Sequence, residues 1–273
     1  MRLAVLQLAY DDDEGVEERR RRVAQLVREQ RGADLVVLPE LWAPGGFAYR
    51  GWPDHAEPVD GPTVGAIAAA AKDIGAVVHA GSIIERSDAG ADAGPQGRGL
   101  WNTSVLLGPD GAVTATYRKV HRFGFGEGEP SLLEAGTEIV TASVAGHTAG
   151  LATCYDLRFP EMFRALLDAG SELFVVPAAW PAARVEHWTL LGRARAIENQ
   201  CLLVAANTAG THAHHRMGGR SQVVAPTGEV LAEAGDGEEV LTLDVDLEQV
   251  AGARERFPVL ADRRLPSPAY PVA

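Results

Sequence analysis

The stretch Gly150-Leu-Ala-Thr-Cys-Tyr-Asp-Leu-Arg-Phe-Pro-Glu161 joins an apolar strand to the start of a helix. Residues 144–153 are mostly small or β-branched, which predicts a buried strand, and Pro160 fits the first turn of a helix. Cys154 therefore lies at a strand-to-helix junction, a place where open α/β sheets bind their ligands. Taken alone, the stretch slightly favours a buried cysteine that acts as a small hydrophobe. The polar residues just after the cysteine weaken that interpretation, because a core cysteine rarely has such neighbours.

Strands and helices mix along the whole chain, with hairpins among them. The turn at Pro109-Asp-Gly111 predicts a hairpin because glycine supplies the positive φ, and Pro226-Thr-Gly-Glu229 predicts a second hairpin. We find no repeat and no linker, and we predict one α/β or α+β domain over residues 1–273, with a proline-rich tail over 257–273. The predicted strands are 3–8, 34–38, 76–84, 101–107, 112–117, two strands within 139–153, 172–177, 201–207, 222–225, 230–232 and 240–245. The predicted helices are 16–30, 63–74, 162–169, 184–200 and 247–256, and the predicted loops include 43–53, 87–99 and 212–220.

Composition argues against several classes of function. The chain has 273 residues, 46% of them apolar, which is enough for a sizeable core. Its 25 Lys and Arg against 37 Asp and Glu give a net charge of −12, which argues against nucleic acid as the main partner. No apolar run approaches the roughly 20 residues that span a bilayer, and no secretory signal precedes the first strand. We therefore expect no membrane contact. Two cysteines make no disulfide framework, so we expect a reduced, cytoplasmic protein.

A polar residue follows an apolar strand at three sites. Glu40 ends one run, Lys119 ends another, and Cys154 ends the third. Strand ends on one side of a sheet can converge whatever their separation along the chain. Together the three residues make chemical sense, because a thiolate is a nucleophile and Glu40 can take the thiol proton. Lys119 would supply positive charge that lowers the thiol pKa and stabilises a developing oxyanion.

These residues lie within motifs that resemble the nitrilase (carbon–nitrogen hydrolase) superfamily over almost the whole chain. The matching stretches are Leu38-Pro-Glu40, Tyr117-Arg-Lys-Val-His121, Cys154-Tyr-Asp-Leu-Arg-Phe-Pro-Glu161, Arg193-Ala-Arg-Ala-Ile-Glu-Asn-Gln200 and Pro226-Thr-Gly-Glu229. The resemblance implies a four-layer α-β-β-α sandwich that pairs into homodimers or larger assemblies. It also implies chemistry that needs no metal ion and no organic cofactor.

The resemblance assigns roles to individual residues. The catalytic Glu, Lys and Cys of the family fall on Glu40, Lys119 and Cys154. A second family glutamate falls on Glu129, with Glu127 as its rival because the loop is glycine-rich. The implied reaction is attack of the cysteine on an amide or nitrile carbon, with Glu40 moving the protons. Water activated by the same carboxylate then hydrolyses the thioester.

The resemblance and the local sequence together suggest a substrate pocket. The main-chain N–H of Tyr155 would complete the oxyanion site with the lysine. We expect Phe125, Trp180 and Trp42 to line the pocket. Arg184 is expected to bind a substrate carboxylate, although an arginine on a helix surface is an equally good interpretation.

The segment around Ala179-Trp-Pro181 resembles the omega-amidase-like branch of the family. That branch releases ammonia from small monoamides of dicarboxylic acids such as 2-oxoglutaramate. Hydrolysis of N-carbamoyl amines and of nitriles remain alternatives within the enzyme class. A different class is an inactive homologue that serves as a binding or assembly subunit, which the intact Glu, Lys and Cys set argues against.

Several further residues have expected roles outside the chemistry. Asn102 and Ser104 are expected partners of the catalytic polar groups, and His121 is expected to pack nearby. Asp156 and Arg158 are expected to hold the start of the helix rather than to contact substrate.

Two other groups of residues are expected to be structural. Cys201 lies in a predicted apolar strand, which indicates a packing role. His212, His214 and His215 fit no common zinc spacing and lie in a glycine-rich loop, so we expect a polar surface loop and no metal site.

Overall fold

Two six-stranded sheets and a small three-stranded sheet contain the strands of the computed structural model, which describes residues 1–87, 93–266 and 270–272. Residues 88–92 of the predicted loop 87–99, and residues 267–269 and 273 of the predicted tail, lie outside the described residues. The strands are β1 Arg2–Gln7, β2 Ala9–Tyr10, β3 Leu35–Val37, β4 Val77–Arg86, β5 Leu100–Leu107, β6 Val113–Arg118, β7 Val140–Val144, β8 His147–Leu151, β9 Leu173–Pro177, β10 Leu202–Ala206, β11 Ala209–His212, β12 His215–Arg216, β13 Gln222–Val224, β14 Val230–Glu233 and β15 Glu239–Asp244. The helices are α1 Val16–Arg28, α2 Pro62–Ile74, α3 Glu129–Leu132, α4 Pro160–Asp168, α5 Val185–Asn199 and α6 Glu248–Arg256.

The two large sheets have the same arrangement of parallel and antiparallel strands. The first has the order β15-β1-β3-β4-β5-β6 and the second has the order β14-β13-β10-β9-β8-β7. In the first sheet β1, β3 and β4 run parallel, and in the second sheet β8, β9 and β10 run parallel. The outer strands of each sheet pair antiparallel to their neighbours. The mixture of parallel units and hairpins predicted from the sequence is therefore confirmed.

Alternate residues of the central strands face two different cores. Val5 of β1 packs into a core that includes Val175 of the second sheet, so the two sheets lie face to face. Leu6 packs on the other side, in a core with Val23 of α1 and Ile67 of α2. The buried residues of α4 and α5 belong to the core of the second sheet. The predicted four layers, helices on sheet on sheet on helices, are confirmed.

Four strands, β3 and β6 of the first sheet and β8 and β9 of the second, have their carboxyl ends where the polar residues lie, and Cys154 follows β8. β6 is antiparallel to β5, and β5 is antiparallel to β4, so β6 runs in the same direction as β3. Glu40 follows β3 and Lys119 follows β6. The main-chain N–H of Glu40 donates to the carbonyl of Ala178, which follows β9 of the second sheet, at 3.3 Å. The edges of the two sheets are thus joined at the predicted site.

The predicted helices and strands are present, with boundaries that differ by at most three residues. The differences are short elements inside predicted loops. A 3₁₀ helix covers Tyr49–His55 in the predicted loop 43–53. The pairing of Ala9 in β2 with Ala209 in β11 joins residues about 200 positions apart, and a two-residue strand has no periodic pattern that would reveal it.

The described part of the tail lies partly on the core and partly in solvent. Tyr270 and Leu260 pack against the core, and Val272 forms an isolated parallel bridge with Ile139. Phe257 and Leu265 are 69% and 85% exposed. In the parts of the chain that the structure describes, no helix has the length and apolar character required to cross a bilayer.

Candidate active site

The three residues that the sequence singled out meet in one buried cluster. Nζ of Lys119 lies 2.7 Å from Oε1 of Glu40, and the two side chains are 2% and 4% exposed. Cys154 shares the pocket with both residues, and the Glu40 carboxylate raises the pKa of its thiol. Residues separated by 79 positions along the chain are therefore in direct contact, as the strand-end argument predicts.

Glu129 completes the cluster together with Asn102. Nζ of Lys119 lies 3.0 Å from Oε1 of Glu129, and the Asn102 amide donates to Oε1 of Glu40 at 2.8 Å and to Oε1 of Glu129 at 2.6 Å. Glu129 is 3% exposed, whereas Glu127 is exposed and does not line the pocket. The geometry thus supports Glu129 rather than Glu127 as the second glutamate. Asn102 contacts the catalytic groups as expected.

The second oxygen of Glu40 has a donor of its own. Oε2 accepts the main-chain N–H of Ala179 at 2.9 Å. The same N–H lowers the pKa of the Cys154 thiol. The Lys119 ammonium and the Ala179 amide therefore fix the carboxylate at both oxygens. A general base must lie within hydrogen-bond reach of the proton that it takes, and Glu40 meets that condition.

Cys154 lies on a turn of sharply constrained backbone. Its φ is +49°, in the left-handed region that residues with a Cβ rarely adopt, and it opens the 3₁₀ helix Cys154–Arg158. Thr153 and Asp156 form a capping box that holds this turn, with the Thr153 N–H donating to Asp156 Oδ2 at 2.8 Å. Ser104 hydrogen-bonds the Thr153 hydroxyl at 2.8 Å. Strain at such a residue, of order 1–3 kcal/mol, marks a position whose geometry the fold enforces.

The Asp156 carboxylate organises the residues behind the nucleophile. The Tyr117 hydroxyl donates to Oδ2 at 2.7 Å, and the His121 main chain donates to Oδ1 at 3.0 Å. The His121 ring also contacts Oδ1 at 2.8 Å and stacks on Phe159, with ring centroids 3.7 Å apart. Asp156 holds the helix start and His121 packs nearby, as expected from the sequence.

The thiol is neutral in the resting site. Burial and the neighbouring Glu40 carboxylate raise the pKa of Cys154 well above its usual value. Lys119 lowers the thiol pKa, as the sequence predicts, but this contribution is smaller than the other two.

The charges of the other three groups depend on one another. Burial alone would lower the pKa of Lys119, but the Glu129 and Glu40 carboxylates raise it well above its usual value, so the ammonium is charged. Burial raises the pKa of Glu129, Lys119 lowers it, and Glu40 raises it again; the net direction is upward. The buried Lys119 ammonium thus forms ion pairs with both buried carboxylates.

The pocket above the thiol has an empty volume of about 390 Å³, including its open mouth. Of the residues expected there, Tyr155, Trp180 and Arg184 line the pocket. Phe125 and Trp42 do not. Phe125 is 82% exposed and packs edge-on against Phe123, and Trp42 is buried in the core with its indole N–H donating to the Ala80 carbonyl.

Sequence reasoning missed Arg158 as a pocket residue. Its guanidinium lies 4.6 Å from the Trp180 ring centroid, and Arg184 lies 5.4 Å from the Phe123 ring centroid. Burial lowers the pKa of Arg158, and the neighbouring Arg184 lowers it further. Arg158 was expected to hold the start of the helix, but its side chain lines the pocket. No pattern in the sequence indicated this position.

The expectation of a polar surface loop for residues 212–220 holds for only part of it, because His212 is buried. His212 is buried and stacks on Tyr10 with ring centroids 4.6 Å apart, and burial lowers its pKa to about 4. His214 and His215 are exposed. Among the residues described by the structure, no group of three or more His, Cys, Asp or Glu is arranged to hold a metal ion.

Comparisons with known proteins agree with this geometry. The family model described as Carbon-nitrogen hydrolase matches residues 2–255. A 2-oxoglutaramate amidase of Paenarthrobacter nicotinovorans is 44% identical over 268 residues, which cover 96% of this chain and 89% of the relative. The omega-amidase NIT2 of Xenopus tropicalis is 35% identical over 256 residues, covering 89% and 88%. A CN-hydrolase superfamily protein of Xanthomonas campestris, solved with an arsenic adduct in its active site, has a TM-score of 0.87 at 31% identity and covers 98% of this chain and 99% of that one.

Proposed function

The chain belongs to the carbon–nitrogen hydrolase family and is an amidase of that family, and we propose that it releases ammonia from short amides with a carboxylate at their far end. Two of its relatives are named for such chemistry, as a 2-oxoglutaramate amidase and an omega-amidase. The thioester route through Cys154 is part of this proposal.

The observation that carries the proposal is a pair of pocket arginines without a counter-ion. Arg158 and Arg184 both line the pocket that holds Cys154, and within the described residues neither pairs with a carboxylate. Two half-buried guanidinium groups near one another repel, and a bound anion relieves both the repulsion and the loss of hydration. Arginine binds carboxylates bidentately, so a substrate carboxylate is the group that this end of the pocket fits.

The first half of the reaction forms the thioester. Sγ of Cys154 attacks the amide carbon while its proton passes to Glu40. The carbonyl oxygen becomes an oxyanion beside the Lys119 ammonium and the main-chain N–H of Tyr155, which lies in the first turn of a 3₁₀ helix where such donors lack an acceptor in the helix. Glu40 then gives the proton to the leaving nitrogen, the carbon–nitrogen bond breaks, and ammonia departs.

The second half of the reaction returns the enzyme to its starting state. Glu40, now ionised again, takes a proton from water as the water oxygen attacks the thioester carbon. The oxyanion forms at the same two donors. The carbon–sulfur bond breaks, and the thiol regains its proton from Glu40. The product forms as a carboxylic acid and leaves as a carboxylate after giving its proton to solvent. Glu129 orients Lys119 throughout, through the contact of 3.0 Å at Nζ.

The alternatives from the sequence have different requirements. An N-carbamoyl amino acid also carries a carboxylate, so the arginine pair fits it as well, and only the names of the relatives favour the omega-amide. A simple nitrile or neutral amide leaves both arginines without a partner. An inactive binding subunit has no need for four polar groups in mutual contact, and the intact cluster argues against it.

Replacement of Arg184 by leucine should reduce kcat/KM for succinamate by about 10- to 100-fold, because a charged hydrogen bond contributes about 1.5–3 kcal/mol. The loss should be mostly in KM. Butyramide, which has the same length without the carboxylate, should lose little or improve. Ammonia release measured for both substrates, and for an N-carbamoyl amino acid, checks the prediction and ranks the alternatives.

The matched control is Arg216→Gln, which removes an arginine whose side chain is 70% exposed and lies outside the pocket. It should leave both substrates unaffected. Equal losses for succinamate and butyramide in Arg184→Leu would show that the arginine supports the pocket without binding a carboxylate.

We also propose that the protein works as a homodimer or larger homo-oligomer in the cytoplasm. Leu190 and Ile197 are 67% and 48% exposed and lie seven residues apart, so they share one face of α5. Exposed apolar groups of the tail, Phe257 and Leu265, add to the apolar surface. A second copy of the chain would cover such surface. Both cysteines are free, as a reducing compartment requires.

A charge on the exposed face of α5 should break this contact. Leu190→Glu should halve the mass measured by light scattering, since a buried unpaired carboxylate is strongly unfavourable. Truncation after Arg256 should also shift the mass. Val113→Glu, which alters an exposed apolar residue on β6 instead, is the control. A monomeric wild-type protein at micromolar concentration contradicts the proposal.

A further inference from the structure

The buried cluster of Glu40, Lys119 and Glu129 contains two carboxylates and only one cation. With all three ionised the buried cluster carries one net negative charge, and the carboxylates are 3% exposed. Two carboxylates in one buried site normally share a proton. A carboxylate that holds this proton cannot accept the thiol proton. Something else must lower the energy of the doubly ionised state.

Asn102 is placed to do so. Its amide nitrogen has two N–H groups, and each points at a different carboxylate, at 2.8 Å for Glu40 Oε1 and 2.6 Å for Glu129 Oε1. The same two oxygens contact Lys119 Nζ at 2.7 and 3.0 Å. The four atoms form a closed ring in which each oxygen has two donors. Hydrogen bonds to the charged form favour ionisation, and an amide adds them without adding a group that titrates.

The other end of the amide shows that this arrangement has a cost. Oδ1 of Asn102 is buried and has no hydrogen-bond partner among the described residues. Most buried polar atoms in proteins are paired, and an unpaired one costs about 1–3 kcal/mol. A flipped amide would instead direct Oδ1 at two carboxylates. Asn102 therefore acts through its NH₂ group, and its carbonyl oxygen makes no hydrogen bond.

The backbone of Asn102 fixes the third member of the ring. Its carbonyl accepts the main-chain N–H of Lys119 at 2.9 Å, and it lies on β5, between β4 and β6 in the first sheet. One residue thus holds the lysine backbone and both carboxylates from a rigid strand.

We propose that Asn102 is a positioning residue that keeps Glu40 and Glu129 ionised together around Lys119, so that Glu40 is free to take the thiol proton. The proposal rests on the proposed function in one respect, the assignment of Glu40 as the base. It adds a role for a residue that touches neither the nucleophile nor the pocket.

The test is the pH dependence of turnover in two variants. Asn102→Leu removes both donors at similar size. Its kcat should fall by about 10- to 100-fold with KM nearly unchanged, and the acidic limb of the kcat profile should move up by about one pH unit, because the carboxylate pair then holds a proton more tightly. Asn102→Asp adds a third acid. Its new carboxyl can donate only while protonated, so the basic limb should move down in pH instead.

The matched control is Asn199→Leu. Asn199 is a buried asparagine whose amide nitrogen also has a partner and whose Oδ1 also has none, but it lies at the end of α5. It should lower the melting temperature without moving either limb. If both Asn102 variants lose turnover only in proportion to the unfolded fraction, with unmoved limbs, Asn102 is merely structural and the proposal is overturned.

A second readout separates this proposal from the proposed function. Alkylation of Cys154 by iodoacetamide needs the thiol proton to leave but needs no amide substrate. Its rate against pH should show the same upward shift of the acidic limb in Asn102→Leu. If the wild-type protein hydrolyses no amide but Asn102→Leu shows this shift, the proposed substrate is wrong and the role of Asn102 is supported. If the wild-type protein is an active amidase but the alkylation profile of Asn102→Leu is unshifted, the proposed function stands and the role of Asn102 is overturned.

Discussion

Replacement of Cys154 by alanine should abolish ammonia release and leave the fold intact. The thiol lies in the pocket beside Glu40, and its loss removes the acyl-enzyme route altogether. Loss of the nucleophile in covalent hydrolases lowers turnover by about 10⁵- to 10⁶-fold. The melting temperature should stay the same or rise, because alanine adopts the left-handed turn no less easily than cysteine does. Turnover and thermal melting on the same preparation check both statements.

Cys201 supplies the matched control for this substitution. It is fully buried beside the Ser171 carbonyl at 3.2 Å, and burial raises its pKa to about 12. Cys201→Ala should therefore keep most of the activity, and iodoacetamide should label Cys154 only. Inactivation that follows labelling of Cys201 contradicts the assignment.

Replacement of Glu40 by glutamine should have the next largest effect. The glutamine keeps the shape and one acceptor oxygen, but its NH₂ group cannot accept a hydrogen bond and it cannot take a proton. Loss of a general base costs about 10²–10⁴ in rate, and the cost is larger here because Glu40 serves both halves of the reaction. Alkylation of Cys154 should also slow, because the thiol proton has no acceptor. Substantial activity in this variant rules out the mechanism.

The same experiment distinguishes catalysis from a structural ion pair. If Glu40 and Lys119 merely hold two strand ends together, Glu40→Gln should lower the melting temperature and leave turnover per folded molecule near normal. Our account predicts near-normal melting and lost turnover. Lys119→Arg keeps the charge, but a planar guanidinium cannot occupy the position of Nζ between two carboxylates and the oxyanion. We expect it to lose about 10²–10³ in turnover.

Much of the fold was predictable because its core strands are continuous apolar runs. The stretch 34–38 reads as a buried strand, and β3 is fully buried within it. The turn at Pro109-Asp-Gly111 specifies its hairpin through a glycine with φ of +81°. The short strands β2 and β11 were not predictable, since their hydrogen bonds join two ends of the chain.

The candidate site was predictable as far as strand ends define it. Glu40, Lys119 and Cys154 each follow an apolar run, and a parallel arrangement brings such ends together. Positions within loops were not predictable in this way. Phe125 points away from the pocket, while Arg158 points into it, and both outcomes depend on turns with positive φ at Gly124 and Cys154. The thiol pKa also depends on burial, which the sequence does not give.

The central claim is that hydrolysis passes through a thioester on Cys154, and partitioning of the acyl group tests it most directly. Succinamate and monomethyl succinate deliver the same succinyl group with different leaving groups. Both are hydrolysed in the presence of hydroxylamine, and the ratio of hydroxamate to succinate is measured for each. A common acyl-enzyme predicts the same ratio from both substrates and no hydroxamate from Cys154→Ala. Ratios that differ between the two substrates, or hydroxamate formed without Cys154, would contradict the account.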